Sequence, residues 1–282
     1  MSDAQDAQRE QDTQREDTPR APTFGATWAI GKATYHASTR SRLNLAVALF
    51  GLALFAFLKL LSDASLNQDE RLLKDMGLFL TSTLCLIAMI GLSAHSLYRE
   101  LERKSVFSVV SKPIPRATLI WGKALGLAMT SGLLTSLCAL TWSVLAWRQG
   151  LEVSVTMYQA WYMIWCESLV VIGVGLLFGS FSTPLVSAGL TFGVTLVGRF
   201  SQDLIALYEK ALRKGELTVG LDLAQLGLYV VPDLSLFNLS HAVVYGGPLP
   251  AEYILKGSLL SVSYTALCLL LAGVIFKRRD LI

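Results

Sequence analysis

Charge is scarce in this chain and histidine is scarcer. Asp, Glu, Lys and Arg make up 16% of its 282 residues, there are three histidines, and 53% of the residues are hydrophobic. The mean hydropathy is +0.50. So little charge excludes an ordinary soluble domain of this length. The net charge of +3 is small and its basic residues cluster beside apolar runs, so no nucleic-acid partner is expected. The four cysteines, Cys85, Cys138, Cys166 and Cys268, stand in separate apolar runs without any CxxC pair. That excludes the usual disulfide frameworks and zinc motifs, and no metal site is expected. A phosphate loop is also missing: Gly25 to Ala33 comes near GxxxxGK[ST], but the spacing is one residue too long and Ala33 follows Lys32. The chain therefore has no recognisable nucleotide site, and no cofactor of its own is expected. Without a nucleophile motif, a His cluster or paired carboxylates at one depth, an enzyme buried in the membrane is disfavoured.

What is present is a series of apolar runs long enough to cross a bilayer, which needs about 20 residues each. They fall at Leu43–Ser62, Met76–Leu97, Leu119–Trp147, Tyr158–Phe181, Leu185–Phe200 and Tyr253–Phe276. The expected fold class is an all-α integral membrane protein with six transmembrane helices. Lys and Arg flanking the spans place both termini in the cytoplasm. Asp63 to Asp75 and Arg148 to Met157 are then outer connections. Tyr158, Trp161, Tyr162 and Trp165 form an aromatic belt at the outer end of the fourth span.

Residues 1–22 are polar, with nothing larger than Ala among the apolar residues after Met1, and are expected to be a disordered tail without a secretory signal. Residues 23–282 form a single membrane domain. It opens with a helix expected to lie in the headgroup layer, where Trp28 and Tyr35 face lipid while Lys32 and Arg40 reach water or phosphate. Ser201 to Glu252 is the longest segment between spans. Phe200, Leu204, Leu207, Tyr208 and Ala211 recur there at helical intervals, giving an amphipathic outer helix. Leu217 to Val231 contains Asp222, stops at Pro232, and reads as re-entrant or surface-lying rather than as a span.

Three features stand out as candidate functional residues. Residues 98–118 carry Arg99, Arg103, Lys104, Lys112 and Arg116 between the second and third spans, and must face the cytoplasm. Pro113 and Pro115 break the helix leaving the second span, and Phe107 with its valine neighbours leaves an apolar surface suited to docking. Glu167 lies deep in the fourth span, and Cys85, Cys138 and Cys166 fall at similar depths, so that a carboxylate and thiols could line a path for a soft metal or sulfur-bearing cargo. Gly189 and Gly193, like Gly122 with Gly126 and Gly175 with Gly179, have the spacing that permits close helix contact or dimer packing.

The stretches ELERKSVFSVVSKPIPRATLIWGKALG, VPDLSLFNLSHAVVYGGPLP and FKRRDL resemble the ABC type-two transporter permeases. The second of these is similar to outer segments in the permeases of copper-enzyme maturation systems, notably nitrous-oxide-reductase assembly. The likeness extends from Thr23 onward. It implies a permease in a bacterial inner membrane, paired as a homodimer or with a similar permease. It further implies a separate cytoplasmic ABC ATPase that binds ATP and magnesium, and in the copper branch a periplasmic accessory protein. By position, Glu100, Glu102, Arg103, Phe107, Lys112, Pro113 and Arg116 would meet the ATPase. A second function is open at this stage: a membrane anchor that transmits ATPase motion to an outer partner without moving cargo. A polar lumen would speak for transport, and a dry seam of Leu and Gly for transmission.

Overall fold

The structure, a computed structural model, describes residues 23–64, 69–102, 116–148, 150, 153–213, 231–246 and 249–278. The polar tail, most of the charged stretch after the second span and the 217–230 segment lie outside the described residues. Among the described residues there are helices and no strands. We number the helices α1 Thr23–Thr39, α2 Arg42–Ala64, α3 Asp69–Glu102, α4 Arg116–Arg148, α5 Val155–Gly179, α6 Pro184–Arg199, α7 Ser201–Arg213, α8 Ser240–Tyr245 and α9 Ala251–Arg278. A 3-10 turn, Leu234–Phe237, precedes α8.

Among the described residues four helices are long and apolar enough to cross a membrane: α3, α4, α5 and α9. A fifth crossing results if α1 and α2, bent by 53° at their junction, count as one broken span. Six full-length spans were expected, and the shortfall has a geometric cause. At 16 residues α6 is about 24 Å long, short of the roughly 30 Å hydrocarbon thickness.

The side chains that touch fix the direction of each helix. Trp142 Nε1 donates to Leu73 O at 3.1 Å near one end of α3 and α4, and Lys123 Nζ donates to Ser96 near the other, so the two are antiparallel. Pairing of Ser82 with Glu167, and of Leu97 with Gly179, makes α5 run with α3. Tyr162 meets Ser258 and Cys166 O accepts from Ser261, so α9 runs with α5 as well. Ser187 at Gly175 and Arg199 at Glu167 make α6 antiparallel to α5. One end of the bundle therefore gathers the close of α3, the opening of α4, the α5–α6 turn and the close of α9. The opposite end gathers the starts of α3, α5 and α9 together with α8, while α6 closes at mid-bundle beneath the 3-10 turn.

The centre of the bundle is α5, whose Met163, Val170, Val171, Ile172 and Leu176 are buried. Its neighbours come close through small residues, as membrane helices do where burial of apolar surface supplies no drive. A Cβ on Gly175 would lie 2.7 Å from Ser93 Cβ, and one on Gly173 3.2 Å from Thr265 Cα. The outward surface is the reverse of a soluble protein's: Leu255, Leu259, Val262 and Leu270 of α9 are all more than half exposed.

Several expectations change in detail. α3 begins at Asp69 rather than Met76, so much of the expected outer loop is helix; the added turns are held by Leu73, 1% exposed beneath Trp142. α1 does more than rest beside lipid. Its Gly31 packs on Leu125, and a Cβ on Gly126 would collide with Gly31 O, so α1 and α4 meet backbone to backbone. Phe24 and Trp28 remain exposed on its other side, as do Lys32 and Arg40, while Tyr35 is half-buried. The segment after Val231 folds inward. Leu234, Phe237, Leu239 and Val243 are buried, and the Asp233 carboxylate accepts from Ser235 N at 3.1 Å and from the Ser201 hydroxyl at 2.5 Å, tying the turn to the start of α7.

Candidate functional site

Glu167 is the midpoint of the 25-residue α5, about 18 Å from either end of that helix. A carboxylate there has no water to solvate it and must find a partner within the bundle. The partner is Arg199, the last residue of α6. Its Nε lies 2.7 Å from Glu167 Oε1 and its Nη2 3.0 Å from Oε2, a two-pronged pairing that matches the planar guanidinium to the planar carboxylate. Ser82 of α3 completes the group by donating its hydroxyl to Glu167 Oε2 at 3.0 Å, and it also contacts Arg199 Nη2. Three helices thus converge on one carboxylate.

Local structure places each charge. α6 starts at Pro184, whose missing N–H costs nothing at a helix start, and ends where Pro232 and Leu234 close over Gly198. Because α6 is short, its terminal Arg reaches only the middle of α5. There the cation also sits at the negative end of its own helix dipole. The Glu167 side chain is 4% exposed and that of Arg199 26%, so the pair is shielded on the carboxylate side and open toward α6's outer surface.

Below this pair runs a column of hydroxyls. The buried residues of α6 are Ser187, Thr191, Thr195 and Gly198, at four-residue and three-residue spacings on one face, with no large apolar side chain among them. Ser93 of α3 and Thr191 both border Gly175 of α5. The seam between α3, α5 and α6 is therefore hydroxyl-lined and carries an ion pair at its upper end.

The other expected site residues fall elsewhere. Cys85 Sγ lies 3.3 Å from Thr135 Oγ1 on α4, one turn from Ser82. Cys138 is buried on α4, and Cys166 lends its backbone carbonyl to Ser261 at 2.7 Å. Glu167 hydrogen-bonds to the guanidinium, with Cys85 in electrostatic reach of both Glu167 and Cys138, and the described residues contain no group of three metal-binding side chains. Gly189 and Gly193 face away from the bundle, with no described atom of this chain within 4 Å of a Cβ built on either. Glu100 and Glu102 are in the last turn of α3 and Arg116 opens α4, while Arg103, Phe107, Lys112 and Pro113 lie outside the described residues.

Sequence reasoning found Glu167 and missed Arg199. The signal was there: a lone acid in mid-span and a lone base ending the next short span.

At the opposite end, Lys123 is buried and donates to the Ser96 hydroxyl at 3.3 Å and to the Ser96 carbonyl. It fastens the start of α4 to the last turns of α3.

Compared with known families, residues 2–281 match the profile of the one described as ABC-2 family transporter protein. The match begins earlier than the likeness read from the motifs, taking in the polar tail. No curated protein matches the chain.

Proposed function

From the premise that this chain belongs to the ABC-2 transporter family, of multi-pass membrane proteins that work with an ATPase, we propose that it is the permease subunit of an ATP-driven transporter. One observation supports the coupling route in particular. α3 and α4 run side by side, pinned by Lys123 on Ser96, so the close of α3 and the opening of α4, the two helix ends that flank residues 103–115 in the chain, lie at one end of the bundle. That same end holds the start of α1 and the close of α9. Six crossings with both termini in the cytoplasm follow if α1–α2 is one broken span and α6 crosses with the 3-10 turn completing its depth.

The partner ATPase would grip the 98–118 segment. Phe107 supplies the apolar anchor, Glu100, Glu102, Arg103, Lys112 and Arg116 set orientation, and Pro113 belongs to the same contact. ATP and magnesium belong to that partner. The complete unit is a homodimer, or a pair with a similar permease, in a bacterial inner membrane. The 231–250 segment supports the branch that serves copper-enzyme maturation, with a periplasmic accessory protein as a further partner.

Transport is favoured over pure mechanical transmission by the hydroxyl-lined α3–α5–α6 seam, since a structure built only to convey motion has no use for an ion pair at mid-membrane. The test is co-purification. Phe107→Ala and Arg103→Glu should each reduce the ATPase recovered with the permease while leaving its membrane insertion unchanged. Undiminished recovery with both variants would remove the interface.

A further inference from the structure

Among the described residues α6 is hydrogen-bonded to α3 and α5 near its two ends, and between them Ala188 and Val194 pack against the core. The buried face of α6 is Ser187, Thr191, Thr195 and Gly198. Thr191 and Thr195 donate to their own helix, to Ser187 O and Thr191 O, each at 2.7 Å. Separating this stretch from α3 and α5 would break none of those bonds. At one end, Ser187 donates to Gly175 O at 3.2 Å, beside the tight turn formed by residues 180–183. At the other end stands the Ser82–Glu167–Arg199 group. The large side chains of α6, including Leu185, Val186, Leu190, Phe192 and Leu196, point outward and are 43% exposed or more. They would keep contact with an apolar surround in either position.

We propose that α6 is a hinged gate, with its hinge at residues 180–183 and its latch at Ser82–Glu167–Arg199. When the latch opens, α6 swings from α3 and α5, and the column Ser93, Ser187, Thr191 and Thr195 becomes a wet path for a polar solute. Glu167 and Arg199 are then free to be solvated at its mid-membrane end. The closed state is the one in the structure, in which the two charges satisfy each other. In hydrocarbon, neither could separate without water entering, so latch release and wetting of the seam are a single event. The drive for opening rests on the ATP-coupled function proposed above; the latch itself does not.

The experiment is thiol modification of the full-length chain in lipid nanodiscs. Thr191→Cys and Thr195→Cys are treated with a charged methanethiosulfonate, and labelling is read at the individual peptide by mass spectrometry. In the otherwise native chain both should be slow to react. Adding Arg199→Gln should raise the rate by about tenfold or more, which corresponds to about 1.4 kcal/mol in the opening equilibrium. Restoring the pair in reverse, with Glu167→Arg and Arg199→Glu together, should bring the rate back down. Cys268 serves as the folding control, because it is buried against α5 and outside the seam. Labelling of Thr191→Cys and Thr195→Cys that stays slow in Arg199→Gln overturns the gate, as does acceleration accompanied by equal exposure of Cys268. Neither result needs the ATPase, so the ATPase recovered with the Phe107 and Arg103 variants tests the proposed function separately.

Discussion

The Glu167 carboxylate sets the energetic terms for its neighbours. Removing one member of a buried ion pair strands the other in a medium that cannot solvate it, and such losses run to about 3–5 kcal/mol. Arg199→Ala should therefore destabilise the protein by roughly that amount, measured as a lowered midpoint for thermal aggregation in detergent. Arg199→Lys keeps the charge but gives up the second prong, and should fall between Arg199→Ala and the native chain. Exchanging both members for neutral residues of similar size, Glu167→Gln with Arg199→Met, should cost less than Arg199→Ala alone, because no lone charge remains. Ser82→Ala should matter least of the four, since polar contacts across membrane helices average about 0.6 kcal/mol.

Among the helices, the tightest joint is that of α1 on α4. A methyl group added at Gly126 would collide with the Gly31 carbonyl oxygen and meet Tyr35 N at 3.0 Å, and backbone cannot step aside as a flexible side chain can. Gly126→Ala should cost about 1–3 kcal/mol, and Gly126→Leu should detach α1 altogether, seen as protease sensitivity near Thr23–Thr39. Gly193→Ala is the contrast. With no described neighbour within 4 Å in this chain, it should leave monomer stability unchanged, and any effect would report on a contact made by something else. The spacing of these glycines is the same in the sequence at both places. What differs is which of them a neighbouring helix approaches, and that is decided by chain packing rather than by local pattern.

For the molecule as a whole, the orientation is the point of greatest consequence. If the end carrying residues 103–115 faces the cytoplasm, Ser105→Cys should resist an impermeant maleimide in intact cells and react once the membrane is opened; ready labelling in intact cells would reverse the topology. Much of this architecture was legible beforehand. Long runs of Leu, Ala and Val announce α3, α4, α5 and α9 by length alone, and apolar spacing announces the helix at Ser201–Arg213. The inward fold of Leu234–Tyr245 was not, because a six-residue helix and a four-residue turn have too little period to reveal what they bury. The pairing of Glu167 with Arg199, 32 residues apart on different helices, showed in the sequence only as two unmatched charges, and packing decides that they meet.

That pairing also bears on how the protein is made. While the chain is still emerging from the ribosome, the half of α5 that carries Glu167 arrives before its counter-charge has been synthesised. A solitary acid would be a poor candidate for release into lipid. The short link through Thr183 lets the next helix follow at once, so the two are expected to leave the insertion machinery together as a hairpin. A nascent chain arrested just before Arg199 should therefore stay bound to that machinery or be degraded, although every apolar residue of α5 is already in place.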